Sequence, residues 1–228
     1  MRLTKRLQKV ADYVPTNSIV ADIGTDHGYI PKHLMDNEIS KLVIATDISE
    51  GSLNKTRSYV EDENLSDTIQ TRLGNGLEPI KPYEVDTVVI AGMGGVLIAE
   101  ILDKERSKAE TYLNFILQPM VGAKELREYL LNNGFKIKDE NLVREDGKYY
   151  EIILAENGLD IPRTDVELEL GPILMEKREP LWEEFVQWKI ATLEAIKIGL
   201  KGQTTEKSVN RYKEIETLLK EYREVLQE

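Results

Sequence analysis

The first 156 positions alternate between short apolar runs and longer stretches with helical spacing. Runs rich in apolar residues are typical of strands buried on both faces, and each is followed by a segment in which apolar residues recur every three or four positions. This pattern predicts strands at 18–23, 41–47, 68–73, 85–91 and 114–119, with helices at 29–37, 50–63, 96–102 and 123–132. An amphipathic helix that Pro15 ends is predicted before the first strand.

Two further strands are predicted at 135–144 and 149–156, joined by Glu145-Asp-Gly-Lys148, which is typical of a β-hairpin turn. Five β–α units indicate a parallel sheet with helices on both sides, and the hairpin inserts an antiparallel strand into it. The predicted fold class is therefore α/β. The order of elements resembles the seven-stranded Rossmann-like methyltransferase sheet.

The character of the chain changes at a connector over residues 157–162. Beyond it the pattern predicts no strand. Two apolar stripes with heptad-like spacing run over 181–200 and 209–226, and two helices with a short connector are expected to lie antiparallel as a coiled-coil-like hairpin. We therefore predict one domain at 1–160 and a C-terminal helical hairpin at 161–228.

The composition limits the compartment and the metal chemistry. None of the 228 residues is cysteine, so disulfides and cysteine-ligated metal centres are excluded and the cytoplasm is the expected compartment. No apolar run approaches the roughly 18 residues that a membrane span needs, so no membrane association is expected. The two histidines, His27 and His33, belong to no cluster with metal-ligand spacing, and no metal is expected.

The net charge of −11 counts against a simple nucleic-acid-binding protein, because phosphate contacts require Lys and Arg. The first nine residues nevertheless contain four basic groups and no acidic one: Arg2, Lys5, Arg6 and Lys9. Such a patch fits an RNA-binding surface, and it equally fits the solvated face of an amphipathic helix. Both interpretations stay open at this point.

The most specific motif is Asp22-Ile-Gly-Thr-Asp-His-Gly28, which directly follows the first predicted strand. Glycine in this position lets the backbone turn tightly and approach a ligand. Dinucleotide-binding proteins use G-x-G-x-x-G with a pyrophosphate at the helix N-terminus, whereas the pattern here is D-x-G-x-D-x-G. Asp26 would repel a pyrophosphate but attract the sulfonium and amino groups of S-adenosylmethionine. The loop therefore favours the methyl donor over NAD.

Two other strand ends carry polar residues suited to the same cofactor. Asp47 follows the second strand, where an acidic residue accepts hydrogen bonds from ribose hydroxyls, and its alternative role is to cap the next helix. In Gly74-Asn-Gly76, the Asn75 side chain offers an acceptor for the adenine amine. The alternative is a simple turn, because Asn-Gly is a strong turn sequence.

The fourth and fifth strands end in Ala91-Gly-Met-Gly-Gly95 and Gln118-Pro-Met120. Ligands of open α/β sheets bind outside the carboxyl ends of strands, so the glycines indicate a close approach of the backbone to a ligand, or else a flexible turn. Methyltransferases that act on exocyclic amines of bases commonly carry an Asn/Asp-Pro-Pro-aromatic motif here, and its absence indicates a different target atom. Gln118 can donate and accept, so it is a candidate for reading a base edge or a turn residue.

Together these motifs resemble the bacterial tRNA (adenine-22-N1)-methyltransferase family, most specifically in the glycine loop with Asp26-His27 and in the Ala-Gly-Met-Gly-Gly turn. The resemblance covers the α/β domain and extends more weakly to the helical hairpin. It implies S-adenosylmethionine as cofactor and tRNA as partner. The cofactor-binding residues that it implies are Asp22, Gly24, Thr25, Asp26, His27, Gly28, Asp47, Ile48, Asn75, Gly76, Ala91 and Gly92. The implied catalytic residues are Asp26, Gly92, Met93, Gly94 and Gln118.

The implied reaction is methyl transfer to adenine N1, whose in-plane lone pair needs no deprotonation before attack. The product ring is positively charged, and Asp26 is the candidate to stabilise that charge, to remove the proton afterwards, or only to hold the cofactor. The helical hairpin either extends along the tRNA or forms a dimer, and a monomer is expected. The alternatives are a methyltransferase for another RNA, a protein or a small molecule, a non-catalytic S-adenosylmethionine-binding protein, and an NAD-dependent oxidoreductase.

Overall fold

The computed structural model describes residues 3–227. These residues form two compact units, one up to residue 162 and one from residue 163 onward. The first contains the whole sheet and the second is entirely helical outside its turns. In the described part of the chain, no helix is long and apolar enough to cross a membrane.

The first unit is built on a seven-stranded sheet in the order β3-β2-β1-β4-β5-β7-β6. Strands β1 to β5 are parallel, and β7 lies antiparallel between β5 and β6. The strands are β1 (Ser18–Ile23), β2 (Ser40–Asp47), β3 (Ile69–Leu73), β4 (Thr87–Met93), β5 (Asn114–Pro119), β6 (Phe135–Glu145) and β7 (Lys148–Asn157). The predicted α/β fold with a terminal hairpin is confirmed. The strand order reverses at β1 and β4, so a crevice opens at the carboxyl ends of these two strands.

The helices cover the sheet of the first unit and make up the second. They are α1 (Lys5–Asp12), α2 (Tyr29–Asp36), α3 (Glu50–Asp62), α4 (Gly95–Lys104), α5 (Arg106–Ala109), α6 (Ala123–Asn132), α7 (Asp165–Leu170), α8 (Pro172–Lys177), α9 (Pro180–Leu200) and α10 (Glu206–Gln227). The short helices α5, α7 and α8 were not predicted from the sequence, because four to six residues are too few to show helical periodicity. Helix α1 ends at Asp12 rather than directly before Pro15, because a residue that precedes proline is disfavoured in the helical conformation.

Helix α1 is anchored in the core although it precedes the first strand. Its residues Val10 and Ala11 are fully buried against Val20 of β1, Ile116 of β5 and Ile152 of β7. Burying a side chain of this size stabilises the fold by about 1.5–3 kcal/mol, so the helix is held firmly on the sheet. Its first turn is thereby placed near the carboxyl ends of the central strands.

An ion cluster is buried between α6 and the β6–β7 hairpin. The Arg127 guanidinium donates to the carboxylates of Glu140 and Glu151 at 2.7 Å each, and the side chains of Arg127 and Glu140 are inaccessible to solvent. The two carboxylates raise the pKa of Arg127 further above its ordinary value, although burial opposes them. Removing one partner would leave an uncompensated buried charge, so the cluster fixes how the helix sits on the hairpin.

The second unit is held together by apolar faces of its two long helices. Trp182, Phe185 and Val186 of α9 are buried, as are Ile215, Leu219, Tyr222 and Val225 of α10. Glu169 of α7 links both helices, because its carboxylate accepts from the Tyr222 hydroxyl at 3.1 Å and its main-chain carbonyl from Lys189 Nζ at 2.5 Å. The apolar stripe of α10 is therefore used within the unit itself.

Candidate active site

A cleft of about 440 Å³ lies at the carboxyl ends of β1, β2 and β4. This volume is within the range of small-molecule sites, roughly 300–1,000 Å³. Asp22, Asp26 and Asp47 line one side, which we call the acidic wall. The other side, which we call the glycine wall, is formed by Ala91, Gly92, Met93, Met120 and, from α1, Arg6.

The glycine loop, residues 22–28, carries two of the three aspartates of the acidic wall. The backbone amides of Gly24 and Thr25 both donate to the Thr46 carbonyl at 2.8 Å, which ties the loop to the end of β2. Gly24 has a φ of +74°, and a Cβ there would lie 2.1 Å from Met93 Cε. The positive φ favours glycine here, whereas the Met93 methyl group is the end of a flexible side chain that can move aside, so the requirement at this position is conformational.

Asp22 is a buried carboxylate that faces the cleft. The pKa of this group is raised from 3.8 to about 6: burial raises it most, the Thr25 side chain lowers it, and the nearby charge of Asp47 adds to the rise. Ionised Asp22 is therefore poorly stabilised by the protein alone. A cationic group bound in the cleft would supply the missing partner.

Asp47 keeps one carboxylate oxygen for a ligand. Its Oδ1 accepts from the backbone amide of Ser49 at 2.6 Å. The cap of α3 is Ser49, whose hydroxyl accepts from the Ser52 amide. The structure thus assigns the N-cap role to Ser49 and leaves Asp47 on the cleft, where the pattern of β2 predicts a ribose contact.

Asp26 projects from the glycine loop into solvent at the mouth of the cleft. Its side chain is 75% exposed, and its Oδ1 lies 3.2 Å from His27 Nε2. The same imidazole nitrogen lies 3.2 Å from Lys55 Nζ, and the ring stacks on Tyr29 with centroids 5.3 Å apart. His27 therefore orients the exposed carboxylate rather than lining the cleft itself.

The glycine wall is shaped by backbone rather than by side-chain chemistry. A bulge in the β4–β5 pairing falls at Gly92, where φ is +84°. A Cβ at Gly95 would lie 1.9 Å from the carbonyl oxygen of Gly122, and the Gly95 amide donates to the Val121 carbonyl at 2.8 Å. The turn therefore has a conformational reason for Gly92 and a packing reason for Gly95, and it is not merely flexible.

Gln118 is fully buried behind the glycine wall and does not reach the cleft surface. Its amide nitrogen donates to the Pro119 carbonyl at 2.8 Å, and its side-chain oxygen accepts from Arg6 Nη1 at 2.5 Å. The side chain that faces the cleft at this point is that of Arg6. Base recognition by Gln118 stays a prediction, and in this structure any such role acts through the arginine.

Several other predicted residues lie outside the cleft lining. Asn75 borders a separate hollow of about 130 Å³, together with Leu97 and Ile101, and Ile48 is 73% exposed. A Cβ at Gly76 would contact Ile101, and one at Gly28 would contact Thr56, so both glycines serve local packing. The remaining predicted residues that do not line the cleft are Thr25, His27 and Gly94. Their cofactor or substrate contacts stay predictions.

Six residues that line the cleft were not predicted from the sequence: Thr4, Arg6, Leu7, Tyr29, Ile30 and Met120. The only available signal for Arg6 was the basic N-terminal patch, and helical periodicity alone could not show which of its members faces the sheet. Lys9 of that patch is ion-paired with Asp12 on the helix surface, and Arg2 lies outside the described residues.

The charged groups that line the cleft favour some ligands over others. Three carboxylates suit a ligand with cationic groups and hydroxyls, and they repel the pyrophosphate of a dinucleotide. The described residues include no group of three or more His, Asp or Glu that could hold a metal ion. The observed residues therefore fit S-adenosylmethionine, as the glycine loop indicates.

Comparisons with known proteins agree with this geometry. Residues 3–153 match the methyltransferase domain family. The tRNA (adenine(22)-N(1))-methyltransferase of Bacillus subtilis strain 168 is 34% identical over 99% of this chain and 98% of its own length. The crystal structure of the B. subtilis m1A22 tRNA methyltransferase TrmK superposes with a TM-score of 0.89 at 33% identity, covering 99% of each chain.

Two related structures contain the methyl donor or its product. Sp1610 of Streptococcus pneumoniae, in complex with S-adenosyl-L-methionine, is 33% identical with a TM-score of 0.84, covering 96% of this chain and all of the other. TrmK of M. capricolum, in complex with S-adenosyl-homocysteine, is 30% identical with a TM-score of 0.84, covering 100% and 99% of the two chains. With its sheet order, glycine loop and glycine turn, the chain belongs to the tRNA (adenine(22)-N(1))-methyltransferase family.

Proposed function

We propose that this protein transfers the methyl group of S-adenosylmethionine to N1 of adenine 22 in tRNA. The observation that supports this most directly is the cleft itself, with buried Asp22 facing it on one side and a glycine-lined backbone on the other. The full-length similarity to an enzyme of that activity supports the substrate. When bound, the cofactor supplies an electrophilic methyl group on a positively charged sulfur.

The acidic wall binds the cofactor in this proposal. Asp22 accepts from the cationic amino group, and the free oxygen of Asp47 accepts from a ribose hydroxyl. Gly24 keeps the loop backbone close enough to contact the ligand. The burial of Asp22, the strand-end position of Asp47 and the positive φ of Gly24 support these roles.

The glycine wall receives the adenine. The backbone at Gly92, which has no side chain, and the side chains of Met93 and Met120 offer a surface for a base that has been taken out of its helix. Asp26, on the opposite side of the mouth, stabilises the positive charge that develops on the ring as N1 is methylated. Because N1 attacks through a lone pair, the protein needs no general base before the transfer.

Methylation of unmodified bacterial tRNA with labelled S-adenosylmethionine, followed by nucleoside analysis, tests the proposal. We expect 1-methyladenosine with the natural transcript and none with a transcript that carries guanine in place of adenine 22. Incorporation that persists in the guanine transcript would assign the activity to another position. No incorporation, with cofactor binding demonstrated separately, would contradict the tRNA activity.

We also propose that the second unit contacts tRNA. Lys201, Lys207 and Lys213 are exposed near the connector between α9 and α10, and none has an acidic partner among the described residues. These unpaired charges are suited to phosphates.

Changing the three lysines to glutamine should raise the KM for tRNA several-fold and leave the cofactor Kd unchanged. A matched control changes Lys197, Lys220 and Arg223, each of which is ion-paired within the unit. Equal effects of the two triple variants would contradict a specific contact.

We further propose that the protein acts as a monomer in the cytoplasm, where bacterial tRNA is matured. Ile215, Leu219, Tyr222 and Val225 of α10 are buried within their own unit, which leaves these side chains unavailable for a second copy. Light scattering on the purified protein should give the mass of one chain at micromolar concentration. A dimer mass would favour the dimerisation role of the hairpin.

A further inference from the structure

The first turn of α1 brings one basic side chain into the cleft. Arg6 is partly buried beside the glycine wall, and a Cβ at Gly92 would lie 3.8 Å from its Nη1. Among the described residues that line the cleft, Arg6 is the only basic one, and three aspartates line the same cleft. Its charge therefore partly offsets theirs beside the glycine wall.

The guanidinium is held by contacts from two distant parts of the chain. Nη1 donates to Gln118 Oε1 on β5, and Cζ lies 5.5 Å from the centre of the Tyr150 ring on β7. The helix that carries it is fixed at its start, because the Thr4 hydroxyl caps it and the Lys5 amide donates to Glu145 Oε1 at 2.7 Å. Arg6 is thus oriented before any ligand arrives.

Most of the hydrogen-bonding capacity of Arg6 is unused by the protein. A guanidinium has five N–H donors, and Gln118 is the only acceptor that residues 3–227 provide for them. A planar fork of free donors matches a phosphate group better than a lysine ammonium does. The arrangement is typical of an arginine that binds an anionic ligand.

We propose that Arg6 binds the backbone phosphate of the target nucleotide and so sets the depth to which the adenine enters the cleft. This inference rests on the proposed function. An RNA chain that approaches three carboxylates needs a local cation to offset their repulsion. Stacking of the guanidinium on the adenine would oppose the positive charge of the methylated ring, so the phosphate is the favoured partner.

The test compares Arg6→Gln with Lys9→Gln, which removes the same charge from the same helix but from an ion-paired surface position. We expect Arg6→Gln to lower kcat/KM for tRNA by about 10- to 100-fold, with the cofactor Kd and the Tm close to those of the wild type. Lys9→Gln should stay within about twofold. Equal losses in both variants would overturn a specific contact.

Salt dependence separates a phosphate contact from a structural role. Losing one phosphate contact should flatten the plot of log(kcat/KM) against log salt concentration by about one unit of slope in Arg6→Gln, and Arg6→Lys should restore that slope. An unchanged slope with reduced activity would indicate base stacking or packing and would overturn the proposal. Absence of 1-methyladenosine with the wild-type enzyme would instead contradict the proposed function itself.

Discussion

The two walls of the cleft are built by different means. The acidic wall carries its chemistry in side chains, namely three aspartates that lie in β1, in the loop after it and at the end of β2. The glycine wall instead depends on the shape of its backbone. Its one charged group is Arg6 of α1, which is held by Gln118, 112 positions away in the chain. The acidic wall is suited to a small cationic cofactor, whereas the glycine wall is suited to a flat base with an anionic backbone.

This comparison separates the effects of substitutions. Changes in the acidic wall should act through charge and so depend on pH, whereas changes at the glycines of the turn behind the glycine wall should act through the volume of the added side chain. The following substitutions test the division, in order of decreasing effect.

Asp26→Ala should have the largest effect. We expect kcat to fall by at least about a hundredfold, because the carboxylate would no longer stabilise the charge that develops on the adenine ring. Single-turnover rates with saturating tRNA measure it, and Asp67→Asn, an exposed aspartate outside the cleft, is the control. Near-normal turnover of Asp26→Ala would leave Asp26 without a catalytic role.

Gly95→Ala should come next, and it should act on folding. The new methyl group would overlap the Gly122 carbonyl, and overpacking of this kind costs about 1–3 kcal/mol, or a few degrees in Tm. Gly199→Ala is the control, because nothing lies within 4 Å of its added Cβ and alanine favours the helix. A Tm equal to that of the wild type would mean that the turn moves to accommodate the methyl group, and that the packing of Gly95 on Gly122 does not fix the glycine wall.

Asp22→Asn should weaken cofactor binding by about tenfold at pH 7, the equivalent of about 1.4 kcal/mol. In the wild type the pKa of Asp22 in the free protein is about 6, so the affinity should fall as the pH drops through 6 and level off near that of the variant, as protonation removes the charge. Calorimetric titrations from pH 5 to 8 measure both effects. A wild-type profile as flat as that of the variant would exclude Asp22 as the titrating ligand.

The same substitution should affect stability in the opposite direction. Because folding raises the pKa of Asp22, the group's contribution to stability is lost as the pH rises from about 4 to about 6. Asp22→Asn removes this penalty, so the free energy of unfolding at pH 7 should rise by up to ~3 kcal/mol. Chemical denaturation at pH 4 and pH 7 checks it, and the difference between variant and wild type should shrink at pH 4.

The acidic wall was largely predictable from the sequence, and the glycine wall only in part. Asp22 and Asp47 stand at strand ends, where periodicity and residue type together indicate a cofactor. Gly95 was identified as part of a turn, but the Gly122 carbonyl that explains it comes from the next strand-end loop. Arg6 and Gln118 depend on a contact between the first helix and the fifth strand, and no local pattern encodes such a contact. Burial of Gln118 likewise follows from that packing and not from its type.

The anchoring of α1 has a consequence for the order of assembly during synthesis. The helix is made first, yet its partners Val143 and Ile152 lie on β6 and β7, the last strands of the sheet. Contacts of such long sequence separation form late, since the intervening chain must be closed into a loop first. A nascent chain on the ribosome thus has the glycine loop long before it has a complete glycine wall. The enzyme becomes competent for its RNA only when the β6–β7 hairpin has emerged and the sheet of the first unit is complete.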